Sequence, residues 1–249
     1  MNSQIRPKKS IGIIGGMGPA ATVDLYAKIV AATAAASDQE HLRVLIDSNA
    51  GIPDRTAAIL GQGEDPLPEL ITTARTLEQA GAELLTIPCN TAHYYYDSIQ
   101  ASVSVPVLHM IRETARHIVA QYPGVERIGL MATTGTLAIG LYDRVLEGVG
   151  LTVIRPEPDQ QDLLMRSIYE GVKAGRLADA EMLAGGVASG LAERGAQVLV
   201  LGCTELPIAL RHVSLPVPAV DPTQVLARAA VAAAGGALAT EMGRLHELA

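Results

Sequence analysis

The sequence predicts an α/β protein made of two similar doubly wound parallel-sheet domains, related by a pseudo-twofold axis, with a functional site in the cleft between them. Short aliphatic runs alternate with segments of helical length along the chain, as in parallel βαβ units. Landmarks of the first half recur in the same order in the second half. The chain has two cysteines, and each follows an equivalent apolar run in its own half.

The predicted strands are short apolar runs that stop at a loop, often at glycine or proline, which is the pattern of strands buried on both faces of a sheet. They cover residues 10–15, 42–47, 83–88, 105–108, 127–131, 151–155, 197–201 and 217–220. Because strands alternate with helices, we expect parallel pairing within each half.

The predicted helices begin and end at residues that favour helix termini. Pro19 suits the first turn of a helix, Asn90 suits an N-cap, and Gly81 suits a C-cap. The helices cover residues 19–35, 53–60, 64–80, 91–101, 110–121, 137–147, 160–174, 177–194 and 223–239.

An internal repeat is visible in three landmarks. The pair Ile11-Gly12 recurs after 117 positions, the Gly-Ala pair at 81 recurs after 114, and Val105-Pro106 recurs after 112. This near-constant offset predicts a duplication. We expect an N-terminal α/β domain over residues 1–120, joined by a C-terminal helix over residues 222–249, and a second α/β domain over residues 121–221.

Composition and charge argue against a disordered protein and against one that binds nucleic acid or a membrane. The hydrophobic fraction of 49% in 249 residues argues against disorder, and it is reached without Trp or Phe. The net charge of −7 gives no footprint for nucleic acid or for an anionic membrane surface. The Ala-rich stretch at 228–240 is too short to span a bilayer. We expect a cytoplasmic protein with no nucleic-acid or membrane partner.

Cys89 and Cys203 each lie eight positions after the glycine that opens their strand, just past its carboxyl end, where doubly wound sheets bind ligands. Two sulfurs on opposite sides of one carbon could racemise it: one thiolate removes a proton and the opposite thiol returns one. Helix starts favour the thiolate there. The same cysteines could instead be two small buried apolar residues, a disulfide or a redox pair.

Six segments resemble the aspartate racemase branch of the aspartate/glutamate/hydantoin racemase superfamily, in order and at matching spacing from residue 11 to 225. They are GGMGP at 15–19, IPDRT at 52–56, PCNTAH at 88–93, ATTGT at 132–136, YEGVKAG at 169–175 and GCTE at 202–205. The resemblance implies cofactor-independent two-base racemisation of a small acidic amino acid, two α/β domains with the site between them, and a homodimer. It implies no cofactor, and no histidine shows metal-ligand spacing.

Carried over by position, the resemblance implies that Cys89 and Cys203 are the two catalytic bases. It implies that Arg55 and Lys173 hold the carboxylates of the substrate. The walls and backbone donors around the substrate would be Met17, Asn49, Asn90, Thr91, Thr134, Gly135 and Thr204.

Aspartate is favoured over glutamate, because the glutamate racemase branch has Cys-Thr-His where this chain has Cys203-Thr204-Glu205. Glutamate use stays open, since Ser48-Asn49 stands where the aspartate branch often has paired asparagines. We hypothesise that Glu205 raises the pKa of Cys203 and keeps it protonated while Cys89 is a thiolate. His93 lies four residues past Cys89, where it could tune the thiol or make a structural hydrogen bond.

Three other functions stay open from the residues. The run GMGPAA at 16–21 after a strand, with Asp47 ending the next strand, fits a dinucleotide-binding fingerprint. A two-domain α/β cleft also suits a non-catalytic protein that binds small acids. Two cysteines could also serve a different isomerisation of a small diacid such as maleate.

Overall fold

The computed structural model describes residues 8–240, which form two parallel sheets. The first sheet has the order β2-β1-β3, with β1 over Ile11–Gly15, β2 over Val44–Ser48 and β3 over Leu84–Thr86. The second has the order β5-β4-β6-β7, with β4 over Arg127–Ala132, β5 over Thr152–Ile154, β6 over Val198–Gly202 and β7 over Ala219–Val220.

Helices surround both sheets. The α-helices in the described residues are α1 (Pro19–Ala32), α2 (Arg55–Ile59), α3 (Leu67–Gln79), α4 (Tyr96–Ser102), α5 (Met110–Gln121), α6 (Thr134–Ala138), α7 (Leu141–Glu147), α8 (Pro158–Arg166), α9 (Leu177–Glu193), α10 (Leu206–Ala209) and α11 (Pro222–Ala233). A 3₁₀ helix at Thr91–Tyr95 precedes α4, and a π-helix at Ser167–Val172 follows α8. No helix among the residues that the structure describes is long and apolar enough to cross a membrane.

The two sheets share one strand order. In each half, the first strand along the chain lies between the second and the third, and the second sheet adds β7 beside its third strand. The central strands also share one steric environment. A Cβ on Gly12 of β1 would lie 2.5 Å from Leu85 Cδ2 and 2.9 Å from Ala82 Cβ. A Cβ on Gly129, the matching glycine of β4, would lie 2.7 Å from Leu199 Cδ2 and 2.9 Å from Ala196 Cβ. The predicted α/β fold and its duplication are confirmed.

The predicted strand at 105–108 is wrong, since the chain forms only an isolated bridge there, between Leu85 and Val107. The Leu85 N–H donates to the Pro106 carbonyl, and the Leu108 N–H donates back to the Leu85 carbonyl. Pro106 has no N–H to extend the ladder. The equivalent strand in the second half, β7, is also only two residues long.

Glycine and a π turn divide several predicted helices. The helix expected over 137–147 is broken by Gly140, whose φ of 58° is left-handed, into α6 and α7. The helix expected over 160–174 changes from α to π geometry at Ser167. The last helix ends at Ala233, because the chain turns at Gly235 with a φ of 79°.

The chain beyond α11 returns to the first half. Leu238 makes an antiparallel bridge with Thr33, at the end of α1, so the helix expected over 222–249 is wrong for residues 234–240. Residues 1–7 and 241–249 of the predicted N-terminal domain lie outside the described residues.

Helix α11 follows the second sheet but packs on the core of the first half. Its Leu226 and Ala230 join one buried cluster with Ile13 of β1 and Ile29 of α1. Lys28 of α1 is buried and pairs with both Asp24 and Asp221, and Asp221 caps α11. The end of the second half is therefore tied to the first helix by apolar packing and by a buried ion triad.

Candidate active site

A cleft between the two halves collects polar side chains at the carboxyl ends of β3 and β6. Cys89 lies three residues past β3, and Cys203 directly follows β6. Both are free thiols and almost fully buried. The empty space of the cleft, including its open mouth, is about 300 Å³. Its walls are Met17, Asp54, Arg55, Thr56, Cys89, Asn90, Thr91, Thr133, Tyr169, Lys173, Cys203, Thr204 and Glu205.

Arg55 is a fixed cation beside Cys89. It opens α2, and it is held by backbone carbonyls: Nη1 donates to Pro53 O at 3.0 Å and Nη2 to Met17 O at 3.1 Å. Burial disfavours its charge, but the nearby Cys89 sulfur and the Asp54 carboxylate outweigh burial and raise the pKa of Arg55. Neutral carbonyls hold the guanidinium without cancelling its charge, so a positive charge faces the cleft.

Cys203 has the opposite environment. Its Sγ donates to Glu205 Oε2 at 3.0 Å, and Glu205 Oε1 lies 3.1 Å from Lys173 Nζ. Burial first, and then the Glu205 carboxylate, raise the pKa of Cys203 well above its ordinary value. Lys173 is also partly buried, but the charges of Glu205 and Cys203 outweigh that and raise its pKa. The geometry supports a neutral thiol at Cys203 and a charged ammonium at Lys173.

His93 does not touch the sulfur of Cys89. Its Nε2 accepts from the Met110 N–H at 3.0 Å, so Nδ1 carries the proton and donates to the Cys89 carbonyl at 2.9 Å. Burial lowers the pKa of His93 to about 4, which keeps the ring neutral. The histidine therefore ties the Cys89 loop to the start of α5, and its role is a structural hydrogen bond.

Two buried donors in the cleft lack a hydrogen-bond partner in the described structure. They are Arg55 Nε and Asn90 Nδ2. The other end of the Asn90 amide, Oδ1, accepts from the Tyr142 hydroxyl at 2.6 Å. Because buried donors are costly to leave unpaired, their presence in a cleft indicates a site for an oxygen-rich anionic ligand.

A group of threonine hydroxyls joins the two halves beside the cysteines. Thr91, from the first half, lies 3.1 Å from Thr133 and 2.9 Å from Thr136 of the second half, measured between Oγ1 atoms. Thr56 Oγ1 donates to Thr133 Oγ1 at 3.3 Å. Thr133 also caps α6 by accepting from the Thr136 N–H. The network fixes the position of Thr91 in the wall of the cleft.

Eight of the eleven residues assigned to the site from the sequence line this cleft, namely Met17, Arg55, Cys89, Asn90, Thr91, Lys173, Cys203 and Thr204. Asn49, Thr134 and Gly135 are not in its lining. The Asn49 amide donates to Glu69 and Thr73, while its backbone packs against Gly16. Thr134 accepts from the Gln161 amide, and Gly135 packs against Thr56.

Four lining residues lie in the motifs of the sequence but were not assigned to the site: Asp54, Thr56, Thr133 and Tyr169. The Tyr169 hydroxyl donates to Asp54 Oδ2 at 2.9 Å, which links the two halves across the cleft. Lys173 Nζ lies 5.5 Å from the centroid of the Tyr169 ring. The four-residue spacing of Tyr169 and Lys173 on one predicted helix would have indicated that they share a face.

No group of three or more His, Cys, Asp and Glu side chains within residues 8–240 is arranged to hold a metal ion. The charged groups that line the cleft are instead two cations, Arg55 and Lys173, and two carboxylates, Asp54 and Glu205. This set fits a small ligand that carries carboxylates and an ammonium group.

Fold and site together define a two-domain α/β protein whose interdomain cleft presents one thiol from each half. The family model described as Asp/Glu/Hydantoin racemase matches residues 14–230. The chain belongs to this family.

Named relatives and solved structures agree with that membership. The chain is 28% identical to the broad specificity amino-acid racemase RacX of Bacillus subtilis, over 89% of this chain and 96% of the relative. It is similar to the structure of Picrophilus torridus aspartate racemase, with a TM-score of 0.84 and 31% identity, covering 94% of this chain and 97% of that chain. Glutamate racemase from Francisella tularensis, solved with D-glutamate, shares the fold at 20% identity and a TM-score of 0.63, over 92% of this chain and 81% of that chain.

Proposed function

We propose that this racemase interconverts the enantiomers of an acidic amino acid, aspartate first, by a two-base mechanism that uses Cys89 and Cys203 and no cofactor. The observation that carries the proposal is the pairing of two free thiols, from equivalent positions of a duplicated fold, in one small cleft. Arg55 and Lys173 line the same cleft and supply the charges that two carboxylates need.

The two thiols divide the chemistry in this proposal. Cys89, beside the Arg55 guanidinium, is the thiolate that removes the proton from Cα. Cys203, whose raised pKa keeps its proton, returns a proton to the opposite face of the planar carbanion. The opposite enantiomer needs the reverse roles, with Cys203 as the thiolate and Cys89 as the thiol.

Aspartate is the first candidate for the substrate. The cleft is small, and the structure with 31% identity and a TM-score of 0.84 to this chain is an aspartate racemase. The relative from Bacillus subtilis has broad specificity by its name, so glutamate and neutral amino acids belong in the same assay.

The test is proton NMR in deuterated buffer, with each enantiomer of aspartate and glutamate and no added cofactor. We expect the Cα proton signal to disappear while the opposite enantiomer forms. Cys89→Ser and Cys203→Ser should each lower the rate of racemisation by about 10³-fold, because each removes an acid or base. Full activity in either variant would refute the two-base mechanism, and no exchange with any amino acid under reducing conditions would refute the substrate class.

A further inference from the structure

Tyr142 lies behind the cleft, and its hydroxyl reaches a residue of the opposite half. It belongs to α7 and is one of the largest fully buried side chains of the protein. Its hydroxyl donates to Asn90 Oδ1 at 2.6 Å. Burial raises the pKa of Tyr142, so the hydroxyl keeps the proton that it donates in this hydrogen bond.

This hydrogen bond decides which way the Asn90 amide points. A carboxamide has an acceptor at one end and two N–H donors at the other, and a 180° rotation exchanges them. With Oδ1 held by Tyr142, Nδ2 occupies the other end. Asn90 is only 2% exposed, lines the cleft, and its Nδ2 finds no partner in the part of the chain described.

We propose that Tyr142 is a positioning residue that holds the Asn90 amide with Nδ2 directed to a carboxylate of the bound substrate. The inference rests on the proposed function, since it needs an acidic ligand in this cleft. Without the phenol, the amide could turn its oxygen toward the carboxylate, where two negative oxygens repel. Because Tyr142 and Asn90 come from different halves, the donor is also oriented only when the halves are closed on each other.

A double-mutant cycle tests this coupling through the KM for L- and D-aspartate. Asn90→Ala removes a hydrogen bond to a charged group, so KM should rise at least about tenfold. Tyr142→Phe keeps the ring and removes the hydroxyl, and KM should rise about three- to tenfold with kcat changed far less. In the double variant, KM should match Asn90→Ala alone, since the phenol acts only through the amide.

Tyr96→Phe is the matched control. The Tyr96 hydroxyl also donates to an oxygen of the protein, the Val107 carbonyl at 2.9 Å, but it does not line the cleft. We expect its KM to stay within about twofold of wild type. Thermal unfolding of each variant checks that the measured KM belongs to folded protein.

Two results would overturn the inference: an unchanged KM in Tyr142→Phe, or effects of the two substitutions that multiply in the double variant. An unchanged KM in Asn90→Ala would remove Asn90 from the substrate site and the inference with it, while Cα exchange in the wild type would leave the racemase proposal standing. The same cycle measured by calorimetry, as the dissociation constant of racemic aspartate, is independent of turnover. If the wild-type protein bound no aspartate in that calorimetry experiment, both the aspartate racemase proposal and the inference about Tyr142 would be overturned.

Discussion

At the scale of single residues, the two cysteines are equivalent in the repeat and different in chemistry. Cys89 lies beside Arg55, whose charge is not cancelled by its carbonyl partners. Cys203 donates to Glu205, and burial together with that carboxylate raises its pKa. The duplication supplies two sulfurs, and their charged neighbours differ: a guanidinium lies beside Cys89 and a carboxylate beside Cys203. The hypothesis that Glu205 raises the pKa of Cys203 is thereby supported by geometry.

Glu205→Gln tests that difference by pH dependence. Removing the carboxylate removes a cause of the raised pKa, so the pKa of Cys203 should fall. For the enantiomer that needs Cys203 as acid, the alkaline limb of the kcat/KM profile should move to lower pH. For the other enantiomer, which needs the Cys203 thiolate, the acid limb should move to lower pH as well.

Glu170→Gln serves as the control for that profile. Glu170 is an exposed carboxylate that pairs loosely with Arg166 and Arg176. Its substitution should leave both limbs in place, because exposed ion pairs contribute little and are screened. A profile in Glu205→Gln that matches wild type would contradict the role assigned to Glu205.

At the scale of helices and strands, the site depends on where each element stops. β3 and β6 end just before their cysteines, and neighbouring β1 ends before the loop that carries Met17. The π-helix at Ser167–Val172 comes directly before Lys173. π turns inside helices are often found at functional sites, and here the turn precedes a cation of the cleft.

Gly129→Ala tests the packing between helix and sheet that positions β4 and β6. The new methyl group would lie 2.7 Å from Leu199 Cδ2 and 2.9 Å from Ala196 Cβ, so the free energy of unfolding should fall by about 1–3 kcal/mol. Gly12→Ala should cost a similar amount, because its neighbours are the equivalent residues. Urea unfolding measures both.

Gly186→Ala is the matched control in helix α9. Gly186 is exposed and a Cβ there meets no atom within 4 Å. Alanine should raise the free energy of unfolding by up to about 1 kcal/mol through its higher helix propensity. Stability of Gly129→Ala equal to wild type would contradict the close packing of the central strands.

At the scale of the whole molecule, the two halves are joined by polar contacts around the cleft. Tyr142 reaches Asn90, Tyr169 reaches Asp54, and the threonine network crosses from Thr91 to the second half. Farther away, the buried ion triad ties α1 to the start of α11. The predicted domain limits, the homodimer and the cytoplasmic location stay predictions.

Lys28→Met tests the triad. It would leave Asp24 and Asp221 buried close together without their shared cation, so the free energy of unfolding at neutral pH should fall by about 3 kcal/mol. Urea unfolding of the variant and the wild type under the same conditions measures the difference in the free energy of unfolding. A change smaller than about 0.5 kcal/mol would contradict this role.

Arg116→Met is the control for charge alone. The Arg116–Glu113 pair spans one turn of α5, and the Arg116 side chain is 74% exposed. Its loss should change the free energy of unfolding by no more than about 0.5 kcal/mol. The difference between Lys28→Met and Arg116→Met in the free energy of unfolding isolates the effect of burial.

By itself, the sequence determined the α/β class, the duplication and the positions of both cysteines, because strand burial, repeat spacing and strand ends are local patterns. It also indicated Arg55 and Lys173, because each belongs to a short continuous motif that carries the family resemblance, at 52–56 and 169–175. It did not reveal that Tyr169 meets Asp54 or that Tyr142 orients Asn90. Those pairs join residues more than fifty positions apart, and only the packing of one half against the other brings them into contact. The tertiary structure therefore decided which polar groups complete the cleft and which charged side chain lies beside each cysteine.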